Sequence, residues 1–311
     1  MPHLTRRRFL TISAAVGLCG LATSLPGSVA AAADNLSTWR GTALGAETRI
    51  TFAHPQGDRL MRSVRMELQR LEAVFSLYRT DSAIAVLNRD GQLSAPPQEL
   101  VDCLAIAGAI HRATEGAFDP SIQPLWATYA AAHASGRKPS DDDIATALQR
   151  VGWSGVDVNA QVIRLLRPGA ALTLNGIAQG YIADRIAALL QSEGLTEVMI
   201  NTGELRALGG QPGGGDWGVT LAGNRGSTRL RDLALATSAP LGTAFDQAGT
   251  TGHILDPRTG RPAAAGWTQV SVTAPSAAVA DGLSTAFCLM PHPAIETALA
   301  RVSGVRVVDL A

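Results

Sequence analysis

The chain has 311 residues, of which 46% are hydrophobic and 17% charged, with 32 glycines: enough apolar surface for a packed core and too little charge for a disordered chain. Its 26 basic and 26 acidic residues cancel. Arg6, Arg7 and Arg8 lie in a leader without acidic residues, so residues 34–311 carry a slight acidic excess, which suits neither nucleic acid nor an anionic membrane surface. Lys138 is the single lysine and stands in a polar stretch, so lysine Schiff-base chemistry is not expected.

The opening TRRRFLT (Thr5 to Thr11) precedes a moderately apolar run from Ile12 to Leu25 and then small residues, SVAAAAD. This pattern predicts a twin-arginine export signal over residues 1–33, a mature chain of residues 34–311 and a periplasmic location. A membrane anchor needs about 20 strongly apolar residues; this run is shorter and is interrupted by Gly17, Gly20, Thr23 and Ser24. A lipid anchor on Cys19 meets the bulky Leu18 where a small residue is wanted. No integral membrane segment is expected in the mature chain. Cys103 and Cys288 sit in apolar helical patterns without C-x-x-C spacing and read as core thiols, an exported location permitting a disulfide as the alternative.

In chain order, Trp39 to Phe52 reads as a first strand. Asp58 to Leu77 reads as a helix, with Leu60, Met61, Val64, Leu68, Leu71 and Val74 on one face. DSAIAVLNRDG predicts a short helix capped by Asp81 or Ser82 and left at Gly91, and a long amphipathic helix from Pro97 ends at Gly116. Residues 133–143 form a polar loop whose aspartates favour the start of a helix over Ile144–Val151. DVNAQVIRLL and ALTLN read as paired strands and GIAQGYIADRIAALLQSEG as a helix. TEVMIN, LRALG, WGVTLAG, TRLRDLALATS and TQVSVTAP follow as strands, then helices over Ala277–Met290 and AIETALARVSG, and a last strand, VRVVDL. Helices first, then strands joined by short turns, predict an α+β fold with an antiparallel sheet.

Phosphate-loop, dinucleotide-fold, nucleophile-elbow and H-E-x-x-H motifs are all missing from the sequence. Asp281 and Thr285 stand one helical turn apart in an apolar helix, an arrangement open to a hard cation such as Mg²⁺ or to a buried aspartate bonded to backbone. His253 precedes a turn built by Asp256, Pro257, Thr259 and Gly260, where a structural role is equally open. Asp119 reads as a turn residue or a ligand, and Tyr78 as a contact or core.

The segments RLEAVFSLYRTDSAIAVLN, TEGAFDPSIQPLW, LTLNGIAQGYIADRIAALLQSEG, ATSAPLGTAF, GHILDPRTGRP and VTAPSAAVADGLSTAF, together spanning about Leu71 to Leu289, resemble in order those of the ApbE family, the FAD:protein FMN transferases of bacterial periplasms. The resemblance implies a tunnelling-fold-like antiparallel sheet with helices. It also implies a Mg²⁺-dependent enzyme that moves FMN from FAD to a threonine hydroxyl of an acceptor flavoprotein and releases AMP. Position by position, it assigns Asp281 and Thr285, with backbone oxygens near Gly176 and Ser284, to the metal. Tyr78, Ala117, Phe118, Asp119, Thr173, Gln179, His253 and Leu255 fall to the flavin nucleotide, and His253 also to general-base catalysis. Where many relatives read L-D-L-G-G-I-A-K-G-Y, this chain has Thr173, Asn175 and Gln179, which removes an acid and a base together; SAPLGTAF also lacks the usual G-D-Y. The leader and these departures resemble the subgroup associated with nitrous-oxide respiration, whose acceptor is membrane-bound. A flavin-binding protein without turnover and a maturation factor acting by contact alone are the alternatives.

Overall fold

The computed structural model describes residues 36–264 and 266–311; the export signal expected over residues 1–33, with Arg6, Arg7 and Cys19, lies outside them. Strands β1 (Leu36–Ala43) and β2 (Ala46–Ala53) form a hairpin where a single strand over Trp39–Phe52 was expected. The chain reverses at Leu44 and Gly45, with φ of 48° and 85°, the left-handed pair that a two-residue hairpin turn demands. Helix α1 (Gly57–Phe75) buries the apolar stripe read from the sequence. Helix α2 (Ala83–Asp90) starts at Ser82, whose hydroxyl accepts from the Ala85 N–H, and stops at Gly91 in the left-handed region.

Strand β3 (Gln92–Ser94), helix α3 (Gln98–Ala113), helix α4 (Gln123–Ala134) and helix α5 (Asp141–Leu148) follow. Helix α4 has no counterpart in the sequence reading, because its alanine-rich, mostly apolar residues show no one-sided stripe. Helix α5 starts earlier than expected, at a reciprocal cap between Ser140 and Asp143. Strands β4 (Val156–Val158) and β5 (Val162–Leu165) pair with each other and β5 with β3.

ALTLN is not a strand. Leu172 hydrogen-bonds through both backbone groups to the Asn88 amide, at 2.7 and 2.8 Å, and the Thr173 N–H donates to the Pro120 carbonyl at 2.8 Å. A side chain and a loop satisfy the backbone that a neighbouring strand would otherwise pair.

Helix α6 (Ala178–Ser192) leads into β6 (Val198–Asn201), β7 (Leu205–Leu208), β8 (Trp217–Thr220), β9 (Ser227–Leu230), β10 (Ala234–Ser238) and β11 (Val270–Ala274). Helices α7 (Ala277–Phe287) and α8 (His292–Leu299) and strand β12 (Arg306–Leu310) complete the chain. The main sheet runs β1-β2-β6-β7-β10-β11-β12 and is antiparallel throughout, an α+β architecture. One face, with Ile50, Phe52, Ile200 and Val272, packs into the main core with α1, α6 and α7. The β8–β9 hairpin covers part of the other face through Val219, Leu221 and Leu230 against Met199, Ala207 and Leu235. Cys103 and Cys288 are buried, unpaired thiols, and burial pushes the Cys288 pKa up to about 12. Among the described residues no helix is long and apolar enough to cross a membrane.

Candidate functional site

A cleft of about 540 Å³ opens at the end of the sheet where β6 turns into β7 and β10 ends, within the range of small-ligand and cofactor sites. Its floor is set by a close helix contact. A Cβ on Gly180 would lie 2.2 Å from the Ala277 carbonyl oxygen, so the bare backbone of α6 packs against the start of α7. That approach brings the Gly180 N–H to within 3.2 Å of Asp281 Oδ2, to which it donates.

Asp281 is only 3% exposed, and burial raises its pKa to about 7. Glu204, in the β6–β7 turn, is 5% exposed; burial and the neighbouring Asp281 charge raise its pKa well above the carboxylate range. Glu204 Oε2 accepts from the Thr237 N–H at 3.3 Å. Each carboxylate can accept about four hydrogen bonds, and among the described residues each accepts from a single backbone N–H. Two buried acids so poorly satisfied tend to keep their protons unless a cation supplies the missing counter-charge. Thr285 lines the cleft one turn beyond Asp281, its Oγ1 3.3 Å from the Ser238 hydroxyl, and a Cβ on Gly176 would meet that same Oγ1 at 3.0 Å.

The opposite wall is a loop. His253 lines it, with Nδ1 2.9 Å from the Thr243 carbonyl. A carbonyl only accepts, so Nδ1 carries the proton and Nε2 the lone pair in the neutral ring. Burial lowers the His253 pKa, against the opposing pull of the Thr243 and Pro240 carbonyls.

Of the residues singled out in the sequence, Ala117, Phe118, Asp119, Thr173, Gly176, Gln179, His253, Leu255, Asp281 and Thr285 all line this cleft. Two do not. Tyr78 lies in the turn after α1, its N–H donating to Ser76 Oγ. Ser284 is fully buried; its carbonyl accepts from the Cys288 N–H within the helix, and its hydroxyl bonds the Asp281 carbonyl and Ser238 Oγ. Asp119 reaches the cleft with its carboxylate already engaged: Oδ1 accepts from the Ser121 N–H and hydroxyl, and Oδ2 from the Trp153 N–H. Sequence reasoning missed Glu204, because an acid after Gly203 in a tight turn looks like a solvent-facing hairpin residue.

The donor set is oxygen throughout: one buried carboxylate, a threonine hydroxyl and the backbone at Gly176. That set fits a hard cation that keeps positions for water or phosphate; among the described residues no group of three or more His, Cys, Asp or Glu side chains forms an all-protein cage.

A fold with this cleft defines a family. The ApbE family profile matches residues 44–308, and the chain belongs to the ApbE family. An FAD:protein FMN transferase of Treponema pallidum is 30% identical over 246 residues, covering 70% of this chain and 68% of that protein. Another, of Haemophilus influenzae, is 29% identical over 255 residues, covering 74% and 72%. Among solved structures, the ApbE protein of Thermotoga maritima superposes with a TM-score of 0.78 at 26% identity, over 88% of this chain and 94% of that one. The flavinyl transferase ApbE of Pseudomonas stutzeri gives 0.73 at 25% identity, over 88% and 95%.

Proposed function

We propose that this chain is an FAD:protein FMN transferase that uses Mg²⁺ to transfer FMN from FAD to a threonine hydroxyl of an acceptor protein, with release of AMP. Family membership and the name carried by its relatives support the reaction. The observation that carries the reading is the pair of under-satisfied buried carboxylates, Asp281 and Glu204, beside Thr285. A cation bound there would let both carboxyls ionise and would stand between their charge and that of a diphosphate. Asp281, Thr285 Oγ1 and the Gly176 backbone would hold the cation, with Glu204 adding charge. When bound, Mg²⁺ supplies charge neutralisation to the phosphoryl oxygens.

The remaining work falls to the chain's own groups. His253 Nε2 takes the proton from the acceptor threonine, whose oxygen forms a bond to the FMN phosphorus as the bond to the AMP oxygen breaks. The Thr243 carbonyl holds the imidazole in the tautomer that can accept that proton. Thr173 and Gln179 offer neutral hydrogen bonds along the wall where relatives place an acid and a base.

Mg²⁺-dependent AMP release from FAD by the purified chain tests the reading. FAD binding without AMP release would favour a flavin-binding protein that has lost turnover, the reading that Thr173 and Gln179 support. The proposal extends to the periplasm, on the strength of TRRRFLT: lysine at both Arg6 and Arg7 should leave the protein in the cytoplasmic fraction, and normal export of that variant would end this part. It extends also to a membrane-bound acceptor serving nitrous-oxide respiration, supported by the leader and the departures at Thr173, Asn175 and Gln179. Covalent flavin on that acceptor, lost when this chain is deleted, is the expected result.

A further inference from the structure

The oxygens that would hold the cation come from two helices. Gly176 precedes α6, whereas Asp281 and Thr285 belong to α7, so the seating of α7 against α6 sets the spacing of the oxygen set. An exchange of carboxylates fixes that seating. Gly180 and Asp184 stand one turn apart on α6, as Ala277 and Asp281 do on α7, and each pair lies on one face of its helix. Asp281 reaches back to α6 and accepts from the Gly180 N–H at 3.2 Å. Asp184 reaches across to α7: its Oδ1 accepts from the Ala277 N–H at 2.9 Å, and its Oδ2 from the Ala278 N–H at 3.0 Å and the Ser276 hydroxyl at 2.7 Å. The two exchanges share the point where Gly180 meets the Ala277 carbonyl.

The two acids are unequal partners. Asp184 accepts from three donors, has the Arg206 Nε of β7 at 3.3 Å, and sits at a helix N-terminus, where negative charge is favoured. Ser276 Oγ accepts from the Val279 N–H at 3.3 Å, so together the two side chains satisfy Ala277, Ala278 and Val279, N–H groups that have no partner within the helix. Asp281 lines the cleft and accepts from one N–H, whereas Asp184 lies outside the cleft. A cation at the corner competes with the Gly180 N–H for the Asp281 carboxylate, and nothing in the cleft competes for Asp184. The tie from Asp184 is therefore the one that holds α7 to α6 whether or not the corner is filled.

We propose that Asp184 is a positioning residue for the cation: by holding the first turn of α7 it keeps Asp281 and Thr285 in register with the Gly176 backbone, while touching neither metal nor nucleotide. The inference rests on the reading of the corner as a cation site. There is little slack in the arrangement, since a Cβ on Gly176 would already meet Thr285 Oγ1 at 3.0 Å. A metal site has to be held to within about 0.5 Å, so a loosened α7 costs affinity even where the fold survives.

The test uses the full mature chain with Mg²⁺ alone as the probe, titrated by calorimetry without FAD at a temperature well below every Tm. Asp184→Asn keeps the shape but sets an NH₂ group against the N–H donors of α7, and the Kd for Mg²⁺ should rise about ten- to hundredfold. The Mg²⁺ concentration that half-saturates AMP release should rise by the same factor, with kcat at saturating Mg²⁺ within about threefold of wild type. Ser140→Ala, which removes the cap of α5 away from the cleft, is the control: Tm should fall and the Kd for Mg²⁺ stay at the wild-type value. If Asp184→Asn does not fold, Ser276→Ala, which removes one of the three bonds to Asp184, should raise the Kd by about two- to tenfold. The proposal is overturned by an unchanged Kd in whichever of these two variants folds, by an equal loss in Ser140→Ala, or by a wild type that binds no Mg²⁺. AMP release reports on the transferase reading separately: Mg²⁺ binding that depends on Asp184, without AMP release from wild type, would sink that reading and leave the positioning role standing.

Discussion

The helix corner and the hairpin rim of the cleft handle charge in opposite ways. At the corner, Asp281 and Glu204 are buried and among the described residues each accepts from one backbone N–H, Asp281 being placed by the close contact of α6 and α7 at Gly180. At the rim, Arg40 and Arg49 stand together on a two-stranded edge without a carboxylate partner. The corner holds two acids that the fold leaves without a counter-charge, and the rim holds two guanidinium groups without a carboxylate partner among the described residues. The acids of the corner are buried, whereas Arg40 at the rim is exposed and Arg49 half-buried, so solvent screens the second pair and not the first.

The largest expected effect lies at the corner. Asp281→Ala should lower Mg²⁺-dependent AMP release by about 10³-fold or more, because the one carboxylate of the oxygen set is lost along with the charge neutralisation it anchors; calorimetry should show Mg²⁺ affinity falling with it. Retained Mg²⁺ binding in this variant would move the metal elsewhere in the cleft. Next comes the loop wall. His253→Ala should slow FMN transfer by about 10² to 10⁴-fold while leaving Mg²⁺ and FAD bound. Because burial lowers the His253 pKa, the acid limb of the wild-type transfer rate should fall below about pH 6.5. Transfer at the wild-type rate without the imidazole would reduce His253 to a turn residue.

The contrast between corner and rim also explains what the sequence reveals. The spacing of Asp281 and Thr285 is a local property of one helix, so it is visible in a linear reading, as are the stripe of α1 and the caps of α2. Glu204 is invisible in the same reading because its burial comes from the packing of α7 and β10 around a turn that by itself looks exposed. Arg40 and Arg49 are hidden for another reason: a one-strand reading of Trp39 to Phe52 lays them along one line, and only the reversal at Leu44 and Gly45 sets them opposite each other. The alternation in ALTLN is real, with Leu172 and Leu174 buried, but the groups that satisfy its backbone, Asn88 and Pro120, come from remote segments.

A middle-sized effect of the corner concerns stability without metal. In the folded state the pKa values of Asp281 and Glu204 are raised, Asp281 to about 7, whereas in the unfolded chain both titrate near 4. Their stabilising contribution is therefore complete below about pH 4 and is lost as pH rises through the folded values. In the presence of a chelator, Tm should fall between about pH 5 and pH 8, and saturating Mg²⁺ should reverse that fall. Glu204→Gln, which keeps the shape and removes one buried charge, should flatten the pH dependence and raise the chelated Tm at pH 8 while weakening Mg²⁺ binding by about 10- to 100-fold. A chelated Tm that stays flat with pH would mean that the two acids are answered by partners within the fold, and the corner would lose its claim to a cation.

The smallest expected effect is at Asp119, where the corner and rim can be compared with a charge that is fully answered. Its Oδ1 accepts from the Ser121 N–H at 2.8 Å and the Ser121 hydroxyl at 2.6 Å, and its Oδ2 from the Trp153 N–H at 3.0 Å. Three donors from two segments make this carboxylate a clamp between the loop entering α4 and the turn before β4. In Asp119→Asn one oxygen becomes an NH₂ group. If the amide keeps its oxygen on Ser121, the NH₂ faces the Trp153 N–H, donor against donor; if it flips, it opposes the Ser121 donors. Either orientation leaves buried donors unpaired, at a cost of about 1–3 kcal/mol, to be read from urea unfolding. Because the clamp and not the nucleotide holds these oxygens, the Kd for FAD and the rate of AMP release should stay within about twofold of wild type, a change worth less than 0.5 kcal/mol by about the thermal scale. Unchanged stability with weakened FAD binding would instead place Asp119 against the flavin nucleotide, as the family resemblance implies, and its three hydrogen bonds would then have to be remade when FAD enters.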